Sequence, residues 1–486
     1  MNRLTIFWSC MLFATSGIAQ QVYTIDDVIA RAQTQSLAFK FAETRKENKY
    51  WSYRTFRANY NPQVRLISNN GGPLYTNSIS RVPQPDGSVK YLPVNQFNPG
   101  LNLALQQPIQ WTGGTISMNS TYNYFNNLSD NAKQWNGSPV FINLSQPLLA
   151  YNPYKWDKRI EPIKYEESKR EFAQAREQIA SDAVNFYFNV LLQQVNLQIA
   201  NYNLANNDTI YKIEQGRYNI GTTSEDKLLQ VELQLLKSKQ DAAKARLDLQ
   251  NASLLLRTYI GLRSGDDFEL TLPEIIPSIT VEENQALEYA RQTRMEYIAF
   301  ERRKLEAEAA VAQTRGNLYS VQVNASYGLN NVGQQLSDVY KDPTRQQFMN
   351  VTFSTPVLDW GRRRAAMQTA RANRRLQEYG IAQDQVTFEQ QVRTQARQIE
   401  MLKLQIEIAK KSDEVALARY KVAQSRYLIG KTDILNLSTA LREKDEAKRA
   451  YLSALLQYWT AYYDIRRLTL FDFAANKYLY NPFDEE

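Results

Sequence analysis

The chain repeats itself. Arg217-Tyr218-Asn219-Ile220-Gly221 returns 209 residues later as Arg426-Tyr427-Leu428-Ile429-Gly430. Pro147, in Leu144-Ser145-Gln146-Pro147-Leu148, returns at the same offset as Pro356 in Phe353-Ser354-Thr355-Pro356-Val357. The openings also match. Thr24-Ile25-Asp26-Asp27 has its counterpart 256 residues on in Thr280-Val281-Glu282-Glu283, and each reads as an N-cap threonine with an acid three residues later. The change of offset gives the first copy about 47 extra residues, all before Pro147, in the Gly/Pro/Asn-rich stretch between roughly Asn61 and Val140. A length of 486 residues would by itself suggest about three domains. The repetition specifies two instead, 20–272 and 273–486, joined near Leu272-Pro273 to Pro277-Ser278.

Both copies read in the same order. A short helix at about 25–34 precedes one at about 37–60, which ends at Asn61-Pro62. Segments alternating at the two-residue period of a strand follow: Val64 to Leu66, Leu101 to Leu105, Ile116 to Met118, Tyr122 to Tyr124 and Phe141 to Asn143. Trp111-Thr112-Gly113-Gly114 is a turn among them. Strands therefore occupy about 63–147 in the first repeat and about 319–356 in the second, where Val321 to Tyr327 and Phe348 to Phe353 make one hairpin. Long helices come next. Asn152-Pro153 supplies an N-cap and a first-turn proline, and no strong stop appears before Gly221. Asp359 opens the equivalent helix, which runs to Gly430. At a rise of about 1.5 Å per residue each reaches roughly 100 Å. A further helix follows each glycine, to 257–261 and 467–468. The two shorter helices, about 24 and about 40 residues, nearly equal the long one when summed, which suggests a long helix laid beside two short ones stacked end to end.

The helix after Gly221 keeps a seven-residue spacing, with Leu228, Leu235, Ala242, Leu249 and Leu256 in one row and Val231, Ser238, Ala245, Ala252 and Tyr259 in the next. In the second repeat the companion row becomes Ala440, Ala447, Ala454, Ala461 and Leu468. Alanine-rich heptad rows imply closely packed coiled coil.

Composition excludes much chemistry. The chain has no histidine and one cysteine, so neither a Ser-His-Asp or Cys-His relay nor a His/Cys metal site can be built, and no catalytic residue, cofactor or metal is expected. Its charge of +8 is spread without long blocks of one sign, so no nucleic-acid partner is expected. Residues 1–19 read as a secretory signal, with Arg3 as the positive start, Leu4 to Phe13 as the apolar stretch and Gly17-Ile18-Ala19 as the cleavage site. The lone Cys10 would leave with it; Phe7-Trp8-Ser9 is a poor lipid-box. An exported chain without cysteine folds without disulfides. No second apolar stretch approaches the ~20 residues of a membrane-spanning helix, so any membrane crossing must be made by strands.

The signal, the two repeats, the strand hairpins interrupting ~100 Å helices and the glycine-turned coiled coil together resemble the TolC-like outer-membrane efflux channels. Tyr187-Phe188-Asn189-Val190-Leu191, the paired R-Y-x-I-G turns, the Pro147 and Pro356 junctions and Asp359-Trp360-Gly361-Arg362 carry the resemblance over the whole mature chain. It implies a mainly α fold with a β-barrel part, in which three copies share one α-helical coiled-coil tunnel in the periplasm and one transmembrane β-barrel in the outer membrane of a Gram-negative cell. It further implies a passive exit channel, not an enzyme, fed by an inner-membrane transporter through a periplasmic adaptor.

By the same resemblance, the turns holding Arg217, Gly221, Arg426 and Gly430 form the tip that the adaptor contacts. Tyr427 matches the tyrosine that helps close the tunnel entrance. Where some members carry aspartates past the second glycine, this chain has Asn436 and Thr439, so the usual carboxylate ring is absent. Asp433 is the remaining acid there, as a substitute or as an N-cap of the final helix. Gly430-Lys431-Thr432 is not a phosphate loop, because Ser425 stands where the first glycine is required and the preceding segment is helical. Arg362-Arg363-Arg364 at a helix N-terminus is electrostatically unfavourable unless solvated or offset by lipid phosphates. Trp111, Tyr122, Tyr124, Trp135, Tyr319 and Tyr327 fit membrane girdles or ordinary strand packing. Two competing readings remain: an exit duct for secreted proteins on the same fold, and a periplasmic coiled-coil scaffold without a pore.

Overall fold

Four helix lengths occur twice. In the computed structural model, α1 (Ile25–Gln35) and α5 (Glu283–Thr293) have 11 residues each, and α2 (Leu37–Ala58) and α6 (Met295–Gly316) have 22. The pair α3 (Pro153–Asn219) and α7 (Arg362–Leu428) have 67, and α4 (Glu225–Ile260) and α8 (Ile434–Thr469) have 36. The structure describes residues 21–68, 72–129, 131–262, 268–273, 276–318, 320–429 and 431–481. The signal at 1–19, Tyr319 and Gly430 lie outside them. Two compact units arise, one from residues up to 44, 172–293 and 390 onward, the other from 45–171 and 294–389.

Local chemistry sets the helix ends. Thr24 and Asp27 form a reciprocal capping box at α1, each satisfying the other's backbone N–H. Asn152 accepts from Lys155 N at the start of α3, and Asp359 accepts from Arg363 N at the start of α7. Thr280 does not cap: α5 begins at Glu283, whose carboxylate pairs with Arg397. Ile279 and Val281 are buried in extended chain, and Lys403 donates to the Ile279 carbonyl, so the helix cannot start at Val281. The second repeat therefore starts 258 residues after the first, counted from helix to helix.

In the first unit the Tyr187-Phe188-Asn189-Val190-Leu191 segment supplies four core residues, Asn189 alone pointing outward. The Tyr187 hydroxyl donates to the Thr271 carbonyl, and burial pushes its phenol up to about 12. Beside it β1 (Gln21–Tyr23) pairs in parallel with β8 (Phe268–Leu270). Gly261, at φ 72°, ends α4 with its α-carbon facing the Gln35 carbonyl, where α1 gives way to α2. Thr293 at the end of α5 donates to the Thr469 carbonyl at the end of α8, 2.6 Å away. In both repeats, then, the 36-residue helix stops where the 22-residue helix starts. Arg466 bridges Glu177 (2.8 Å) and Asp472 (3.1 Å), which pins the C-terminal hairpin of β11 (Phe471–Asp472) and β12 (Lys477–Tyr478). The heptad rows are real: Val231, Ser238, Ala245 and Ala252 are buried on α4, as are Ala440, Ala454, Ala461 and Leu468 on α8.

The second unit holds an antiparallel sheet. Its six long-paired strands are ordered β10 (Thr344–Ser354), β9 (Ser320–Gly333), β7 (Ala132–Leu148), β6 (Gly114–Asn127), β5 (Gly100–Ile109) and β2 (Gln63–Ser68). A further hairpin, β3 (Tyr75–Pro83) and β4 (Val89–Phe97), joins the far end of β6 through Gln96–Asn127 and Phe97–Asn126. Among the described residues, neither β2 nor β10 has a strand on its outer side. Gly316 ends α6 where an added methyl would strike the backbone of Tyr151, so the close approach there requires glycine.

Candidate functional site

The two helical hairpins turn by the same device. After α3, Thr222 N donates to the Arg217 carbonyl at 2.9 Å and Gly221 adopts φ 69° with open space around it. After α7, Lys431 N donates to the Arg426 carbonyl, also at 2.9 Å. Glycine is favoured here by backbone conformation alone, since no neighbour restricts the position. Exposed apolar residues at the turns include Ile220 and Ile429, the isoleucines of the motif, with Leu428 and Leu435 beside the second turn.

The two R-Y-x-I-G motifs are used differently. Tyr218 is exposed, whereas its counterpart Tyr427 is 5% exposed within a cluster of Tyr420, Leu437 and Ala440. The Tyr427 hydroxyl donates to Glu214 Oε1 at 2.9 Å. Arg217 Nη1 donates to the same oxygen at 2.7 Å, and its guanidinium lies 5.9 Å from the Tyr427 ring. Burial first, then the Glu214 carboxylate, push the Tyr427 phenol above its usual value, so it stays a donor at any physiological pH. Arg217 and Tyr427 are thus brought together from opposite repeats by Glu214, while Arg426 is left exposed. Glu214 was invisible in the sequence; its position in the other repeat is Ala423, so the motif comparison carries no signal for it. A hydrogen bond to a charged partner contributes about 1.5–3 kcal/mol, and here it ties the end of α7 to the end of α3.

Asp433 caps α8 by accepting from Asn436 N at 2.8 Å. Its carboxylate is exposed, as is Asn436, and Thr439 is half-buried, so these polar side chains lie just past the second turn among Ile434, Leu435 and Leu437. Gly430 belongs to the undescribed residues.

One face of the sheet is apolar. Register places Val64 and Leu66 on β2 opposite Leu105 and Leu103 on β5. Leu105 faces Met118 on β6, Met118 faces Ile142 on β7, and Ile142 faces Tyr327 on β9. Val321 and Val323 face Phe353 and Val351 on β10. Nearly all of these side chains are exposed. The opposite face carries Asn102, Ser117, Asn119, Asn143, Ser145, Asn324, Ser326 and Asn350. Alternation of this kind gives the sheet two faces of opposite character, one apolar and one polar.

The turn between β5 and β6 exposes Trp111 at 85%, and the junction between β10 and α7 exposes Trp360 at 90% beside Val357 and Leu358. Arg363 is held by Asp359 at 2.7 Å, which leaves Arg362 and Arg364 as the exposed cations. Of the proposed girdle, Tyr124 and Trp135 contact each other at 4.9 Å, and Tyr122 hydrogen-bonds Tyr340. Among the described residues no helix is long and apolar enough to cross a membrane, and no acidic or cysteine cluster fits a metal ion.

Comparison with known proteins accords with this arrangement. Among curated proteins, no sequence matches the chain. Solved structures share its fold: the CmeC outer membrane channel of Campylobacter jejuni, at 14% identity and TM-score 0.66, matches 92% of this chain and 85% of its own. VceC of Vibrio cholerae, at 12% identity and TM-score 0.64, matches 92% and 95% respectively. The open-state MtrE channel of Neisseria gonorrhoeae, at 18% and 0.60, matches 92% and 88%. The profile of the outer membrane efflux proteins matches residues 95–262 and 283–469, one segment in each repeat. With well over half its length so matched, the chain belongs to the outer membrane efflux protein family, whose members are passive channels and not enzymes.

Proposed function

We propose that three copies of this chain form the outer-membrane exit duct of a tripartite export system, taking substrates from an inner-membrane transporter through a periplasmic adaptor. The observation that carries this reading is the sheet with one apolar face and two open edges. Left alone in lipid, those edges would cost several kcal/mol for each unpaired backbone group, so other copies must close them.

The helices support the same conclusion. Outside its buried heptad rows, α4 exposes Leu229, Leu233, Leu236, Leu247 and Leu254, and α7 exposes Met401, Leu404, Ile408, Val415 and Val422. Two stripes at coiled-coil spacing on one chain, one buried and one bare, fit a helix packed on both flanks in a closed tunnel. In the duct, Tyr427, Asp433, Asn436 and Thr439 lie at the entrance, and the Tyr427–Glu214–Arg217 bridge holds each helical hairpin inward. The turns at Arg217, Gly221, Arg426 and Gly430, with Ile220 and Ile429, receive the adaptor. Trp111, Trp360, Arg362 and Arg364 contact outer-membrane lipid. With no ring of carboxylates at Asn436 and Thr439, selection for cations at the entrance is weaker than a charged ring would give.

The test is the mass of the full chain purified from membranes in detergent. Three chains are expected. A monomer that stays in solution without detergent would instead support a scaffold with no pore.

A further inference from the structure

Repeat one exceeds repeat two by a whole β-hairpin. Helix offsets are 258 before the strands (Leu37 to Met295) and 209 after them (Pro153 to Arg362). The stretch from β2 to β5, residues 63–109, accounts for all but two of the 49 residues of difference. The hairpin β6–β7 is then the counterpart of β9–β10, and residues 63–109 have no equivalent in the other repeat. An insertion of this size could form an external lobe, a plug or part of the membrane wall.

Three observations decide between these. First, β5 is laddered to β6 over its whole length, from Gly100–Asn123 to Ile109–Gly114, and β2 is laddered to β5 from Gln63–Gln106 to Ser68–Leu101. The edge of β6 that a neighbouring copy would otherwise use is therefore already filled. Freeing it would break a ten-residue ladder, and each unpaired group in hydrocarbon costs several kcal/mol. Second, Val64, Leu66, Leu101, Leu103 and Leu105 are exposed on the same face as Met118, Ile142, Val323 and Val351, so the inserted hairpin continues the apolar band. A water-facing lobe or lumenal plug would not keep five bare aliphatics in that register. Third, only the distal part, β3 and β4 with their turn at Gln84–Ser88, runs past the β6–β7 turn, where Leu128 N still bonds to the Asn95 carbonyl.

We propose that β2 and β5 are part of the membrane wall, so that β2 of one copy pairs with β10 of the next and each copy contributes six strands. The inference rests on the trimeric reading above. The order β10-β9-β7-β6-β5-β2 ends on strands of opposite direction, so the next β10 meets β2 antiparallel and the wall closes without a like-directed pair. Three copies make an eighteen-stranded barrel. At the usual strand spacing and tilt, its backbone diameter is ~36 Å, against ~24 Å for the twelve strands of β6, β7, β9 and β10 alone. The barrel lumen is then about twice as large in cross-section, and the entrance at Tyr427, not the exit, limits what passes.

Intermolecular disulfide trapping tests this in the full chain. Cysteines at Val64, Arg65, Leu66 or Ile67 are each combined with one at positions 347–351 of β10, and a control series pairs Ser117→Cys or Asn119→Cys on β6 with the same β10 set. Each variant is oxidised in membranes, and its mass in detergent is measured in parallel. Covalent trimers from β2–β10 pairs, with none from β6–β10 pairs, are expected. Cross-linking of β6–β10 pairs alone, or of neither series in a protein that is trimeric by mass, would overturn the six-strand wall while leaving the trimer standing. A monomeric protein that cross-links in neither series would overturn both. Because cysteine pairs can disturb folding, the strand count in a cryo-EM reconstruction of the unmodified trimer gives an independent answer, eighteen for the proposal and twelve against it.

Discussion

At the scale of single residues, the repeats share a motif but not a role. Tyr427 is buried because α8 brings Leu437 and Ala440 against it and because Glu214 offers an acceptor, whereas Tyr218 has neither and stays exposed. Sequence similarity can reveal that two turns match, but a partner 213 residues away is a product of packing. The glycine was legible, since a helix reversal at Gly221 needs positive φ. Gly221→Ala is therefore expected to lower stability by about 1 kcal/mol and Gly221→Asn by less, because asparagine tolerates the left-handed region; thermal unfolding of the purified variants would show the ranking. Asp27 makes a second residue-level case. Its bonds to Thr24 hold its carboxyl below the usual aspartate range. The stabilisation is present above the unfolded-state pKa and is lost as pH falls through the lowered folded-state value. Asp27→Asn should cost up to about 1 kcal/mol at neutral pH, and the difference from the parent should shrink below about pH 4 in an unfolding series.

At the scale of elements, helix lengths were nearly readable because caps, prolines and glycines mark most ends. Asn152-Pro153, Asp359, Gly221 and Gly261 each lie at or within a few residues of a helix end. Thr280 misleads because burial of Ile279 and Val281 overrides a good local signal. The inserted strands were harder. Only Val64 to Leu66 and Leu101 to Leu105 alternate cleanly, while β3 and β4 hold Pro83 and Pro93 and depend on pairing with each other. The bare stripe on α4 carries a direct prediction. Leu233→Glu with Leu236→Glu leaves the buried row of Val231, Leu235 and Ser238 intact, so helix content measured by circular dichroism should be retained while the detergent complex falls from trimer to monomer. Loss of helix content together with assembly would place that stripe in the core of one chain instead.

At the scale of the molecule, the proposed duct has two repeats of one unit meet two solvents. Helices with both stripes covered suit water, and strands with one apolar and one polar face suit lipid, provided copies close the edges. The chain has no histidine, so no side chain whose unperturbed pKa lies near neutrality takes part in this arrangement. In the proposed duct, regulation falls to mechanical ties such as Tyr427–Glu214. Removing a tie worth about 1.5–3 kcal/mol in each copy should open the entrance without unfolding the tunnel.

The measurement that bears most directly on this account is single-channel conductance of the detergent-purified trimer in a planar bilayer, for the parent and for Tyr427→Phe. The account predicts discrete steps from the parent and a several-fold larger conductance from the variant, with the variant still assembled and folded. A correctly assembled trimer that inserts and carries no current in either form would contradict the claim that the chain is a conduit. Equal conductance of the two would leave the conduit in place and remove Tyr427 from its entrance.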